Sequence, residues 1–98
     1  MGFYVYILTN PARIVLYTGV TNNLERRLGE HSSGLGEAGK FIGRYQCNLL
    51  IYFEISAGAN QAIAREKQIK NWTRAKKEFL INTLNPNWEP IDLHTWSG

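Results

Sequence analysis

The run from Phe3 to Thr9 constrains the fold of this 98-residue chain most, because it is apolar on both of its faces. Alternate side chains of an extended segment point to opposite sides of a sheet. Here both sets are aliphatic or aromatic, and β-branched and aromatic residues favour strands. The run therefore predicts a β-strand that is covered on both sides.

A second strand is predicted at residues 14–20, after the turn residues of 10–13. If Thr9 pairs with Ile14 across this four-residue loop, antiparallel pairing places Tyr6 opposite Tyr17. Residues paired in this way have Cβ atoms about 5 Å apart. The sequence thus predicts that two tyrosines are neighbours across adjacent strands.

A helix is predicted to begin after Asn22, which we interpret as its N-cap because Glu25 follows three residues later. Its apolar stripe contains two leucines, and the i, i+3, i+4, i+7 spacing adds Arg27 and His31 to the same stripe. We therefore expect both basic residues to face the core or a cleft.

The second half of the chain predicts a strand and two more helices. Residues 48–55 are almost continuously apolar, which is typical of a strand buried on both sides. A helix over residues 60–72 carries Glu66 in the middle of its apolar stripe. Thr73 is the expected N-cap of a third helix that ends near Leu84. Its expected buried residues are Phe79, Leu80 and Leu84, and the tail 88–96 is expected to pack its two tryptophans on the domain.

Size and composition favour one folded domain over residues 1–98. One cysteine excludes an intrachain disulfide, and with two histidines it cannot complete a usual four-ligand structural zinc site. We find no leader pattern and no apolar run of 18 residues, and so expect a soluble cytoplasmic protein. Residues 1–77 hold eleven Lys and Arg against five Glu, a net charge of +6 that suits a polyanion.

Three ionisable residues, Arg27, His31 and Glu66, fall on helix stripes that face the core. Burying an unpaired charge costs several kcal/mol, so these residues need partners or line a cleft. One interpretation is a structural Arg27–Glu66 ion pair between two helices. The other joins them with Tyr6 and Tyr17 in a single pocket.

Such a pocket suits hydrolysis of a phosphodiester. A lone carboxylate can hold Mg²⁺, which keeps most of its waters and takes further ligands from phosphate. A guanidinium can clamp the phosphate. A tyrosine that acts as the base must have its pKa lowered from about 10, and an adjacent guanidinium and metal act in that direction.

The chain resembles the GIY-YIG nuclease family, and in particular its small single-domain bacterial members, over nearly its whole length. The segments that carry the resemblance are Tyr4-Val5-Tyr6, then after ten residues Tyr17-Thr18-Gly19, then Asn23-Leu24-Glu25-Arg26-Arg27-Leu28 with His31, and Glu66 on a later helix. The resemblance implies an α/β (α+β) fold, a three-stranded antiparallel sheet flanked by about three helices.

The resemblance also assigns roles. It implies that Tyr6, Tyr17, Arg27 and His31 are catalytic, that Glu66 binds Mg²⁺ or Mn²⁺, and that Gly19 and a late asparagine support the site. For that asparagine we choose Asn85 over Asn87. Val20 stands where the excision-repair members have a lysine, so His31 or Lys40 would have to replace that helper.

We therefore predict a metal-dependent endonuclease acting on DNA, in a setting such as DNA repair, that prefers a DNA structure to a sequence. One basic face supplies mainly sequence-independent affinity. The rivals are a non-catalytic nucleic-acid-binding module with the same fold and a protein-interaction domain. The residues expected to bind the DNA backbone are Lys40, Arg44, Lys70, Arg74, Lys76 and Lys77.

Overall fold

The computed structural model describes residues 2–32 and 47–94, with only the backbone of residues 30–32. The elements it contains, in chain order, are β1 (Phe3–Thr9), β2 (Leu16–Thr21), α1 (Leu24–Ser32), β3 (Leu49–Ser56), α2 (Ala59–Lys70) and α3 (Arg74–Leu84). The strands form one antiparallel sheet in the order β2-β1-β3. The predicted three-stranded antiparallel sheet with flanking helices is confirmed.

Strand β1 is the central strand, and it is covered on both faces as predicted. On one face Val5 and Ile7 are fully buried in a cluster that includes Ala62 and Ile69 of α2. On the other face Tyr6 and Leu8 are buried in a cluster that includes Leu24, Ile91 and other residues of α1 and the C-terminal segment. Two small cores, one on each side of the sheet, therefore hold the domain together.

The pairing of β1 with β2 differs from the predicted register by two residues. Thr9 pairs with Leu16 instead of Ile14, and Tyr6 lies opposite Gly19 instead of Tyr17. The connecting loop is longer because the Asn10 side-chain oxygen accepts hydrogen bonds from the backbone N–H groups of residues 14 and 15, at 2.8 and 3.1 Å. Arg13 adopts a positive φ of 58° in this loop, so β2 begins two residues later than expected.

The N-cap of α1 is Asn23, and the prediction of Asn22 is wrong. The Asn23 side-chain oxygen accepts a hydrogen bond from the backbone N–H of Arg26 at 3.0 Å. Thr21 ends β2, and its hydroxyl accepts from the backbone N–H of Asn23 at 3.1 Å. This contact adds a residue to the turn between strand and helix, which moves the cap one position along the chain.

Three further predictions, for the burial of β3, the end of α2 and the buried face of α3, are wrong in part. Strand β3 is not buried on both sides at its end, where Ile55 is 65% exposed. Helix α2 ends at Lys70, before Trp72. Thr73 caps α3 as predicted, but Phe79 is 73% exposed and Ile81 takes the buried position instead. Helix α3 is therefore turned about its axis relative to the predicted orientation, because Ile81 packs on the sheet together with Leu80 and Leu84.

Asn85 fastens the end of α3 to the sheet. Its side-chain amide donates to the backbone oxygens of Ile51 and Glu89, at 3.0 and 2.7 Å. Its side-chain oxygen accepts from the backbone N–H of Glu89 at 3.1 Å, and the residue is only 6% exposed. This asparagine has a structural role at the junction of α3, β3 and the C-terminal segment.

Replacing Asn85 with alanine is expected to lower the free energy of unfolding by about 2–3 kcal/mol, because buried backbone groups lose their partners. Urea denaturation followed by circular dichroism measures the loss. The exposed Asn87 provides the control, and Asn87→Ala should change stability by less than about 0.5 kcal/mol. Equal effects of the two substitutions would contradict this role for Asn85.

No helix within residues 2–32 and 47–94 is long and apolar enough to cross a membrane.

Candidate active site

The two tyrosines predicted to be neighbours do lie together, although through a different pairing. Tyr17 is paired with Leu8, so it lies diagonally across from Tyr6. The ring centroids of the two tyrosines are 6.4 Å apart with the planes inclined by 44°. Tyr6 is almost fully buried and Tyr17 is half-buried. The shifted register thus still produces a pair of phenols on one face of the sheet.

Gly19 makes this arrangement possible because the Tyr6 ring occupies the space above it. A Cβ atom at position 19 would lie 2.5 Å from both Cζ and Oη of Tyr6, closer than any non-bonded contact allows. The glycine of the second motif is therefore required by contact with the tyrosine of the first motif.

Arg27 and Glu66 approach Tyr17 from two different helices. Arg27 lies in the first turns of α1, half-buried, with its Nε shielded from solvent. The Glu66 side chain, on α2, is 14% exposed. The charges of both residues act on the Tyr17 phenol. Strand β2, helix α1 and helix α2 therefore bring a phenol, a guanidinium and a carboxylate into one cluster.

The partner of Glu66 among the described residues is Lys70, one helical turn further along α2. The Lys70 Nζ lies 3.2 Å from the Glu66 Oε2. This contact adds Lys70 to the two interpretations of Glu66 that the sequence offered. Lys70, which we expected to bind the DNA backbone, thus contacts a residue of the cluster. Its i, i+4 spacing from Glu66 was the sequence signal for this contact.

The pKa of Tyr17 is raised above its ordinary value of 10.0, chiefly because burial disfavours the charged phenolate. The positive charges of Lys70 and Arg27 lower it, and the negative charge of Glu66 raises it. The Arg27 guanidinium thus acts on the pKa of Tyr17 in the direction expected from the sequence. Burial outweighs the nearby cations.

The ionisation of Tyr17 is therefore expected above pH 10, and NMR titration of its ring Cζ signal, assigned with Tyr17→Phe, measures it. Since the unfolded chain releases this proton at lower pH than the folded one, the group's contribution to stability is present below about pH 10 and is lost as the pH rises further. A midpoint below 10 in the metal-free protein would contradict the burial of this phenol.

Other residues proposed for DNA binding have different surroundings. Arg74 donates to the backbone oxygens of Arg13 and Ile14 and pairs with Glu78 at 2.9 Å, so it holds the β1–β2 loop on α3. Lys76 lies over the Trp72 ring, 4.5 Å from its centroid. The side chain of His31, and the residues Lys40 and Arg44, lie outside the part of the chain that is described. Lys77 is half-buried on α3.

A second acid near the sheet, Glu54, is fully engaged. It accepts from the Tyr52 hydroxyl at 2.5 Å and from the Arg65 Nε at 2.6 Å. Burial, reinforced by Glu54, raises the pKa of Tyr52, and the hydrogen bond to Glu54 raises the pKa of Arg65. This network joins β3 to α2 on the face of the sheet opposite Tyr6. The carboxylate of Glu54 is therefore already bound by two partners.

The cluster fits a magnesium ion better than a metal that needs several side-chain ligands. The described residues contain no group of three or more His, Cys, Asp or Glu side chains that could hold a metal. Mg²⁺ commonly takes one or two carboxylates and completes its shell with waters and substrate phosphate. Glu66 is the residue of the cluster that would supply that carboxylate.

Comparison with known proteins shows the family to which the chain belongs. A family model described as the GIY-YIG catalytic domain matches residues 2–79. A UPF0213 protein of Natronomonas pharaonis is 41% identical over 78 residues, covering 80% of this chain and 88% of that protein. Another, of Bacillus pumilus, is 36% identical over 92 residues, covering 94% and 91%.

A solved structure shares the fold as well. The solution NMR structure of a UPF0213 protein from Bacillus halodurans is 29% identical, covers 91% of this chain and 92% of its own, and superposes with a TM-score of 0.55. The family match spans both tyrosine motifs, Arg27 and Glu66. The chain therefore belongs to the GIY-YIG family of nuclease domains.

Proposed function

We propose that this protein is an endonuclease that hydrolyses phosphodiester bonds of DNA with the help of Mg²⁺ or Mn²⁺. The observation that carries the proposal is the meeting of Tyr17, Arg27 and Glu66, from three separate elements, in a chain of a nuclease family. A purely structural role for these residues would not require an acid, a guanidinium and a phenol to converge beside an exposed lysine.

Each residue has a role that its surroundings support. The shielded, permanently charged guanidinium of Arg27 binds the scissile phosphate and stabilises the charge that develops on it. Tyr17 orients the attacking water, and the buried Tyr6 fixes the position of Tyr17. Glu66 would hold the divalent cation, which when bound supplies Lewis-acid stabilisation of the phosphate.

The DNA is expected to be selected by its structure, such as a flap or branch. The residues that would bind the DNA backbone are Lys40, Arg44, Lys70, Lys76 and Lys77. Contacts of lysine and arginine to phosphates position a protein without reading sequence. Arg74 contributes less to this surface, because its guanidinium is bound to the backbone of the β1–β2 loop.

The rival function is a non-catalytic nucleic-acid-binding module, which would need the lysines but not Glu66. To separate the two, the wild-type protein is incubated with labelled duplex, flapped, branched and single-stranded DNA and with matching RNA, in Mg²⁺, in Mn²⁺ and in EDTA. We expect metal-dependent cleavage of a flapped or branched DNA. Binding without cleavage on every substrate would favour the module, and faster cleavage of RNA would overturn the choice of DNA.

A further inference from the structure

We propose that Lys70 occupies the metal-binding carboxylate of Glu66 in the free protein and moves to the scissile phosphate when the cation and DNA bind. This inference rests on the proposed function and adds a residue to it. Lys70 would thereby serve as a competitor of the metal in the empty site and as a phosphate ligand in the filled one.

The unequal exposure of the two partners supports this exchange. In the Lys70–Glu66 pair the carboxylate side chain is 14% exposed and the lysine side chain 48% exposed. The acid is therefore held by the protein around it, whereas the ammonium lies at the solvent side on a flexible four-carbon chain. Of the two, the lysine is the one that can leave.

The positive charge of Lys70 also acts on the Tyr17 phenol. Among the charges that act on the Tyr17 phenol, that of Lys70 has the largest effect, ahead of Arg27 and Glu66. The ammonium is thus 3.2 Å from the Glu66 carboxylate and within electrostatic reach of the Tyr17 phenol.

The ion pair of Arg74 and Glu78 on α3 is an ordinary surface pair, and it differs from the Lys70–Glu66 pair in the exposure of its members. It has the same i, i+4 spacing and a distance of 2.9 Å, but its two side chains are equally exposed, at 44% and 43%. Its basic member is held by backbone oxygens of the β1–β2 loop.

Electrostatics gives the direction of the effect on metal binding. While Lys70 pairs with Glu66, the carboxylate is neutralised, and a divalent cation must displace one positive charge before it binds. Removing that charge without shortening the side chain, as in Lys70→Met, should strengthen binding of Mn²⁺ to the DNA-free protein by about three- to tenfold. The same variant should bind DNA less tightly, because a phosphate loses a ligand.

The test combines isothermal titration with Mn²⁺ and fluorescence binding of a phosphorothioate flap DNA that resists cleavage. Lys67→Met is the matched control, because it removes one exposed lysine from the same helix. Lys70→Met should bind Mn²⁺ more tightly than both the wild type and Lys67→Met, and should bind the DNA about three- to tenfold more weakly than Lys67→Met. Lys70→Arg, which keeps the charge, should bind Mn²⁺ as weakly as the wild type.

Glu66→Gln separates failure of this inference from failure of the proposed function. If Glu66→Gln abolishes Mn²⁺ binding and Lys70→Met binds Mn²⁺ or DNA like Lys67→Met, the exchange of Lys70 is overturned and the metal site stands. If Glu66→Gln leaves Mn²⁺ binding unchanged, or if the wild type binds no Mn²⁺, both proposals are overturned.

Discussion

Replacing Glu66 with glutamine is expected to lower the single-turnover rate of DNA cleavage by at least about a thousandfold, because the carboxylate proposed to hold the cation is lost. Glutamine keeps the size and polarity of the side chain, so the fold of α2 should be preserved. The measurement is cleavage of a labelled flap DNA at saturating protein, in Mg²⁺ and in Mn²⁺. Binding of the uncleaved DNA should be retained.

Glu78→Gln is the matched control for this variant. Glu78 is also a helical glutamate paired with a basic residue four positions away, but it lies on α3 outside the cluster. Its replacement should leave the cleavage rate within about twofold of the wild type, in line with the small effect of surface ion pairs. Equal losses in both variants, or undiminished cleavage by Glu66→Gln, would overturn the role given to Glu66.

Gly19→Ala is expected to lower the free energy of unfolding by about 2–3 kcal/mol, since overpacking of this kind displaces neighbours. The new Cβ would lie 2.5 Å from Cζ and Oη of Tyr6. Tyr6 is 1% exposed, so its ring cannot swing into solvent. Because the ring has to move, the geometry of Tyr17 beside it should change and cleavage should fall together with the free energy of unfolding.

Gly29→Ala distinguishes this contact from a general cost of replacing glycine. Gly29 lies within α1, and a Cβ there would meet no atom within 4 Å. Alanine favours a helix over glycine by up to about 1 kcal/mol, so this variant should be as stable as the wild type or more so. Urea denaturation compares the two, and a Gly19→Ala protein as stable as Gly29→Ala would contradict the packing of Tyr6 on Gly19.

The sequence predicted the elements of the fold well where a short-range pattern determines them. The β-branched and aromatic run of residues 3–9 predicted β1 at its observed bounds, and Thr73 predicted the start of α3. It failed where side chains bond to the backbone of another segment. The Asn10 side chain lengthens the β1–β2 loop and Thr21 moves the α1 cap to Asn23, and neither contact follows from residue preferences.

The residues of the cluster were predicted from the sequence, but not all of their contacts. Helical periodicity placed Arg27 and Glu66 on inward stripes, and the structure brings both within electrostatic reach of Tyr17. The contact of Glu66 with Lys70 follows from their i, i+4 spacing on α2, whereas the sequence prediction named only Arg27 as a candidate partner. Likewise, nothing in the basic sequence around Arg74 indicated that its guanidinium binds the backbone of residues 13 and 14.

A crystal structure with Mn²⁺ and a phosphorothioate flap DNA tests whether one site holds both the cation and the scissile phosphate. Anomalous scattering locates the manganese independently of the rest of the electron density. We predict a manganese peak at coordination distance from a Glu66 oxygen, with the phosphate hydrogen-bonded to Arg27 and beside Tyr17. A manganese ion bound elsewhere, or a DNA backbone that does not pass between Arg27 and Glu66, would contradict the account.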